Sequence, residues 1–239
     1  MFRIIPRLEI KSRNLIKGMR MEGLRVIRNF ENLIEAYSKS ADEIFLEDIV
    51  ASLYSREIDF RFIEKISDKV QIPIAYAGGV SSKKIIEKLF NCGVDKVYLN
   101  SSLFKKIKLI KEVSKTYGSQ SICALLQTRK IDNNWEVFAD AGRNRTGIML
   151  NDWIKILVNQ GIGELAIISI DHDGMHNGVD LNLIKLVNEM NLKIPILYGG
   201  GIKDKNDINV LSKYNFQGAL VSHILHFKKK DLTDLKVSN

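Results

Sequence analysis

Between residues 167 and 178 the chain reads IISIDHDGMHNG, an apolar run ending in Asp171, His172, Asp173, Gly174, His176 and Gly178. Carboxylates and imidazoles this close allow three chemistries: a metal cage, an acid–base centre, or a grip on an anion. His172 and His176 are four apart, which brings two imidazoles together on a helix, but Gly174 and Gly178 argue for a loop. The expectation is therefore a grip, with no metal. Asp171 and Asp173 would orient loop and substrate, and the Gly174 amide would be free for a phosphate oxygen.

The same kind of residue recurs wherever a short apolar run ends. These positions are Glu9, Asp48, Gly78 and Gly79, Asn100 and Ser101, Gln127, Gly200 and Gly201, then Ser222 and His223. Glycine turns leading into helix N-termini expose backbone amides that bind phosphate. With glycine pairs after the third and seventh runs, and NSS and SH after the fourth and eighth, two phosphate grips are expected on opposite sides of one mouth. A substrate carrying a phosphate at each end follows.

Those positions need a scaffold that brings strand ends together. FRIIPRLEI, EIFLEDI, IPIAYA, VDKVYLN, SICALLQ, ELAIISI, IPILYGG and GALVSH are continuously apolar, as parallel strands covered by helices are. Helical patterns alternate with them. SSKKIIEKLFNCG starts at a serine cap and stops at Gly93, and NDWIKILVNQG runs from Asn151 to Gly161. Eight strands in 239 residues predict one (β/α)8 barrel domain spanning 1–239. The rival, a doubly wound sheet, usually carries a GxGxxG or a P-loop, and neither is present.

An internal repeat favours the barrel: IPIAYAGGVSS (72–82) returns as IPILYGGGIKD (194–204), and ADEIFLEDI (41–49) is matched by IGELAIISI (162–170). Two half-barrels are expected. TRKIDNNWEVFADAGRNRTG (128–147) departs from the pattern and predicts a hairpin inserted after strand five, on the active face.

Composition excludes several classes. The net charge of +8 comes from lysines scattered along helices, and only Lys228, Lys229 and Lys230 form a run, expected as solvated surface. Nucleic-acid binding is therefore not expected, whereas anionic small substrates suit the charge. Cys92 and Cys123 lack CxxC spacing, so neither a disulfide framework nor a zinc cage is expected. No run approaches the ~20 apolar residues of a membrane helix and the N-terminus lacks a signal-peptide pattern, which predicts a cytoplasmic protein without cofactor.

RIIPRLEIK with LIKG, IPIAYAGGV, GVDKVYLNSS, YGSQ, TGIMLNDW, GIGELAIISIDHDGMHNGVD and ALVSHILHF together resemble the cyclase subunit of imidazole glycerol phosphate synthase, across essentially the whole chain. That resemblance implies a (β/α)8 barrel that takes ammonia from a separate glutaminase subunit, as a heterodimer, and inserts it into a bis-phosphorylated ribulosyl substrate of histidine biosynthesis. It places phosphate binding on Gly79, Asn100 and Ser101 on one side and on Asp173, Gly174, Gly201, Ser222 and His223 on the other. It also implies an ammonia gate of Arg3, Glu43, Lys96 and Glu164 on the barrel floor, and a glutaminase-facing side that includes Asp95 and Gln120. Lys17, Asp48, Tyr76 and Asp171 look compatible with the family pattern.

The departures fall on the chemistry. The family's two catalytic aspartates, at the ends of strands one and five, are matched here by Glu9 and Gln127. Glutamate still transfers protons at a different reach; glutamine cannot. KSRN replaces the usual KDGR in the first loop, and Met175 and Ile168 also differ. Three readings stay open: the histidine-pathway cyclase, a paralogous ammonia-accepting synthase for a surface-polysaccharide sugar with Glu9 as lone base and Gln127 on the substrate, and an idle barrel that only docks a glutaminase.

Overall fold

The computed structural model describes residues 2–29, 31–227 and 231–236; the lysine run 228–230 lies outside them. In chain order the strands are β1 (Arg3–Lys11), β2 (Asn14–Met19), β3 (Glu22–Asn29), β4 (Ile44–Asp48), β5 (Ile74–Ala77), β6 (Lys96–Leu99), β7 (Ile122–Ile131), β8 (Asn134–Ala139), β9 (Asn144–Met149), β10 (Glu164–Ser169), β11 (Ile196–Gly199) and β12 (Gly218–Val221). The helices are α1 (Glu31–Ser38), α2 (Phe60–Ser67), α3 (Lys83–Asn91), α4 (Leu109–Tyr117), α5 (Leu150–Gln160), α6 (Leu181–Glu189), α7 (Lys205–Lys213), α8 (His223–His226) and α9 (Leu232–Leu235).

Eight parallel strands, β1, β4, β5, β6, β7, β10, β11 and β12, pair in that order, and β12 pairs with β1 to close the cylinder. All eight apolar runs of the sequence are barrel strands. They are buried on both faces because side chains alternate: Leu8, Leu46, Tyr76 and Leu126 point out to the helices, while Ile5, Phe45, Ala75, Tyr98, Cys123, Ala166, Leu197 and Leu220 fill the interior. Phe45 and Tyr98 pack ring against ring at 4.7 Å in that inner layer.

The helices seal the outside. α3 begins where Ser82 accepts a hydrogen bond from the Ile85 amide and buries Ile86 and Leu89, as its spacing predicts. α5 differs at its start. Asn151 is its second residue rather than its cap, because β9 runs straight into the helix and Leu150 is drawn into the core. Its end is as expected, with Gly161 left-handed at φ 87°.

Two antiparallel excursions leave the barrel at its C-terminal mouth. β7 continues past the barrel wall and pairs with β8, which pairs with β9; Asp132 and Asn133 make the turn, so the inserted hairpin is present and has a third strand. The other excursion was not legible. β1 turns through Ser12 and Arg13 into β2, which pairs with β3 to form a second hairpin. This hairpin lies over the mouth, with Met21 buried beside Gly142 and Ile170. No helix among the described residues is long and apolar enough to cross a membrane.

Candidate functional site

The two glycine turns lie at the same end of the cylinder and are geometric twins. Gly78 and Gly79, after β5, have φ 109° and 67°; Gly200 and Gly201, after β11, have φ 108° and 82°. In each turn the first glycine's α-carbon lies against the carbonyl ending the preceding barrel strand, Asp48 in one case and Ser169 in the other. A side chain there would strike backbone, so only glycine fits. The repeat read in the sequence is thus a repeat of backbone conformation.

The first turn opens into a cavity of about 640 Å³, lined among others by Glu47, Asp48, Gly79, Asn100, Ser101 and Gln127. Lys88, Lys105 and Arg56 edge it with positive charge. Asn100 donates to the carbonyls of Leu125 (2.8 Å) and Phe138 (3.3 Å), and the Ser101 hydroxyl accepts from the Asp140 amide (2.9 Å), so both also pin β8. Asp48 accepts from Arg56 at 3.1 Å. Burial pushes its carboxyl up, against the pull of Arg56.

The second turn is tighter. Asp173, Gly174, Gly200, Gly201, Ser222 and His223 surround a recess of only about 10 Å³, room for a single water. The β2–β3 hairpin accounts for this, because Gly174 packs on the Gly18 backbone and the Arg20 amide donates to the Asp173 carbonyl at 2.7 Å. His172 Nδ1 lies 2.8 Å from the Gly178 carbonyl and holds the loop. No group of three metal-ligating side chains occurs among the described residues. Asp171 lines neither cavity: it accepts from the Lys130 amide (2.9 Å) and pairs with Arg129 (3.5 Å), tying its loop to the β7–β8 hairpin.

Between the two glycine turns lies an ion network, of which the sequence pointed to Glu9, Lys17, Asp173 and Gln127 but not to Arg7 or Glu47. Arg7, 1% exposed, points inward from β1 and binds Glu47 through Nε (2.6 Å) and Asp173 through Nη1 (3.1 Å), with Glu9 3.0 Å from Nη2. Lys17, from the hairpin, contacts Glu9 (2.7 Å) and Asp173 (2.8 Å). Gln127 Nε2 donates to Glu47 Oε1 across the barrel at 3.1 Å. Two cations, three carboxylates and an amide are thereby interlocked, so Glu9 and Gln127 do not meet each other. Glu9 is enclosed by Arg7 and Lys17; Gln127 and Glu47 face the larger cavity.

Burial pushes the Glu9 carboxyl up and outweighs the opposing pull of Arg7 and Lys17. Burial acts on Asp173 in the same sense, but Lys17 and Arg7 together outweigh it and hold Asp173 below the usual carboxylate range. Lys17 and Arg7 touch both carboxylates, but Asp173 accepts three hydrogen bonds from them, whereas Glu9 is also raised by the neighbouring charges of Asp173 and Glu47. A simple signal points to Arg7 and Glu47. Strand side chains alternate, so Arg7 shares a face with Arg3 and Glu9, and Glu47 shares a face with Glu43.

At the opposite end the four floor charges meet. Arg3 bonds Glu43 at 3.0 Å and also pairs with Glu164; Lys96 bonds Glu43 at 3.0 Å and Glu164 at 2.9 Å. The signs alternate, so each charge is compensated twice, which an isolated pair would not achieve. Tyr98 adds 2.6 Å to Glu164 from above. Burial pushes Glu164 up, yet the hydrogen bond and charge of Arg3, with Lys96, leave it below its ordinary value, whereas burial prevails at Glu43 and raises it. Asp95 caps the Ile74 amide at 2.8 Å and is exposed with Gln120 on this same side.

A family profile described as "Histidine biosynthesis protein" matches residues 3–231. The chain is 38% identical over 209 residues to "Imidazole glycerol phosphate synthase subunit HisF" of Legionella pneumophila, covering 87% of this chain and 98% of that protein. It is 35% identical to the protein of that name from Natranaerobius thermophilus, covering 98% of this chain and 94% of the relative, and 34% identical to that of Bacillus cereus with the same coverage. A barrel with twinned glycine turns, matched nearly end to end by such relatives, places this chain in the histidine biosynthesis protein family.

Proposed function

We propose that this chain is the synthase subunit of an imidazole glycerol phosphate synthase-type pair, a lyase that adds ammonia to a phosphorylated ribulosyl acceptor in histidine biosynthesis. The whole chain acts as one domain in the cytoplasm, and a separate glutaminase docks at the Arg3–Glu164 end, beside Asp95 and Gln120, and releases ammonia there. The observation that carries the reading is the alternating ring of Arg3, Glu43, Lys96 and Glu164 at one end of a cylinder whose other end holds the glycine turns. Gly79, Asn100 and Ser101 hold one phosphate of the acceptor, and Gly174, Gly201, Ser222 and His223 the other once the hairpin lifts.

One observation favours a second reading, the same ammonia chemistry on a different anionic acceptor such as a polysaccharide sugar. Glu9 is locked between Arg7 and Lys17, and Gln127 carries no titratable proton. An idle docking barrel is disfavoured by the 640 Å³ cavity edged with cations. Expression of the chain with its glutaminase in a strain lacking the histidine-pathway cyclase separates the readings. Growth without histidine is the expected result; absence of growth with folded protein in the cells transfers the barrel to the second acceptor.

A further inference from the structure

We infer that Glu47, not Glu9, is the carboxylate that moves protons at the reacting carbon, and that Gln127 is its partner in receiving ammonia. The inference rests on the ammonia-accepting function proposed above. The larger cavity has Glu47 and Gln127 in its wall and not Glu9. Glu47 is fixed by two bonds, from Arg7 Nε to Oε2 and from Gln127 Nε2 to Oε1, and each oxygen keeps a lone pair for a further donor. Because Gln127 presents its NH2 to Glu47, its own Oε1 is the free end. That oxygen is buried, in a residue 3% exposed, and has no hydrogen-bond partner among the described residues.

An orphaned acceptor beside a carboxylate is a costly arrangement unless a donor arrives. Ammonia is such a donor, with three N–H groups for Gln127 Oε1 and Glu47. On the inward faces of their strands Glu47 follows Phe45, and Gln127 follows Cys123 and Leu125, so both stand between the floor ring and the mouth, where ammonia leaving the barrel interior meets the cavity. The presence of glutamine where the family has an aspartate then has a reason. A second carboxylate against Glu47 would repel it, whereas an amide orients it and still accepts from nitrogen.

The chemistry balances. The nitrogen lone pair forms a C–N bond at the acceptor's carbonyl carbon and the C=O π pair moves to oxygen. Glu47 relays two protons in turn from nitrogen to that oxygen, the C–O bond breaks, water leaves, and a C=N bond remains. Glu47 returns to its carboxylate form, and no oxidant or reductant is needed. Arg7 is a positioning residue in this scheme, and Glu9 anchors Lys17 and the hairpin.

The test does not depend on knowing the acceptor. Cells carrying this gene receive a pulse of glutamine labelled with ¹⁵N at the amide, and labelled anionic metabolites that disappear on deleting the gene are measured by mass spectrometry. Glu47→Gln is expected to cut that label roughly 100-fold and Gln127→Leu roughly 10-fold, as loss of a proton-transfer group and of its orienting partner should. Glu47→Asp should restore part of the signal, and Glu9→Gln should lose less than Glu47→Gln. The pair Arg7→Met with Glu47→Gln removes opposite charges together, guards against misfolding checked by thermal melting, and should stay inactive. Label retained by Glu47→Gln or by the folded pair overturns the inference, as does a greater loss in Glu9→Gln. A label that lands outside the histidine route retires the first functional reading and leaves the variant ranking to judge Glu47. A label pattern unchanged by deletion overturns both.

Discussion

Arg7 sets the character of the site. A guanidinium with no access to water survives only with full compensation, and three carboxylates converge on it. Arg7→Met alone is expected to destabilise the fold by about 3–5 kcal/mol, because it leaves the buried Glu47 without a cation while Glu9 and Asp173 keep Lys17, and Arg7→Met with Glu47→Leu should recover most of the loss. Urea denaturation of the three proteins checks this; equal losses in single and paired variants would refute it. Asp173 makes a second residue-scale prediction. Its folded pKa is depressed, so the stability it supplies is present above the unfolded value of about 3.9 and is lost as pH falls through the lower folded value. The urea midpoint gap between wild type and Asp173→Asn should therefore narrow below about pH 4; a constant gap would contradict it. Glu9, raised by burial, works in the opposite sense over the range just above its unfolded value.

The elements show what the sequence made legible and what it hid. The barrel strands were readable because burial on both faces makes them continuous apolar runs, and the inserted hairpin because DNN breaks an alternating segment. The β2–β3 hairpin was not, because it is basic and exposes Met19 and Val26, so neither face carries an uninterrupted apolar pattern. Its turn uses Arg20 at φ 52° and Met21 at φ 61° rather than a glycine signal. Glu9 and Gln127 were found by position, but their partners were not, since which interior side chains touch across a barrel depends on strand stagger. The hairpin carries its own prediction. Gly174, at φ 73°, packs on the Gly18 backbone, so Gly174→Ala adds both left-handed strain of roughly 1–2 kcal/mol and a collision. Amide hydrogen exchange across residues 14–27 should accelerate by about tenfold or more, given that 1.4 kcal/mol is a factor of ten. Unchanged exchange would mean that the hairpin is not held by this contact.

At the scale of the molecule, the proposed function gives the two ends of the cylinder separate tasks. It has nitrogen entering at the floor ring and the acceptor held at the mouth; the Phe45–Tyr98 layer and the Arg7 network lie between those ends. A floor variant should therefore affect delivered ammonia more than free ammonia. Lys96→Met is expected to lower glutamine-driven turnover at least about tenfold while ammonium-driven turnover changes far less, in line with the 10–100-fold cost of losing precise placement. Equal losses in both assays would remove the floor ring from the delivery route. The most direct measurement supplies the purified chain with the bis-phosphorylated ribulosyl intermediate and [¹⁵N]ammonium chloride and follows the aminoimidazole product by mass spectrometry. The account predicts product carrying ¹⁵N, formed at a rate that rises with ammonium; intermediate recovered intact at every ammonium concentration, with the protein still folded, would contradict it.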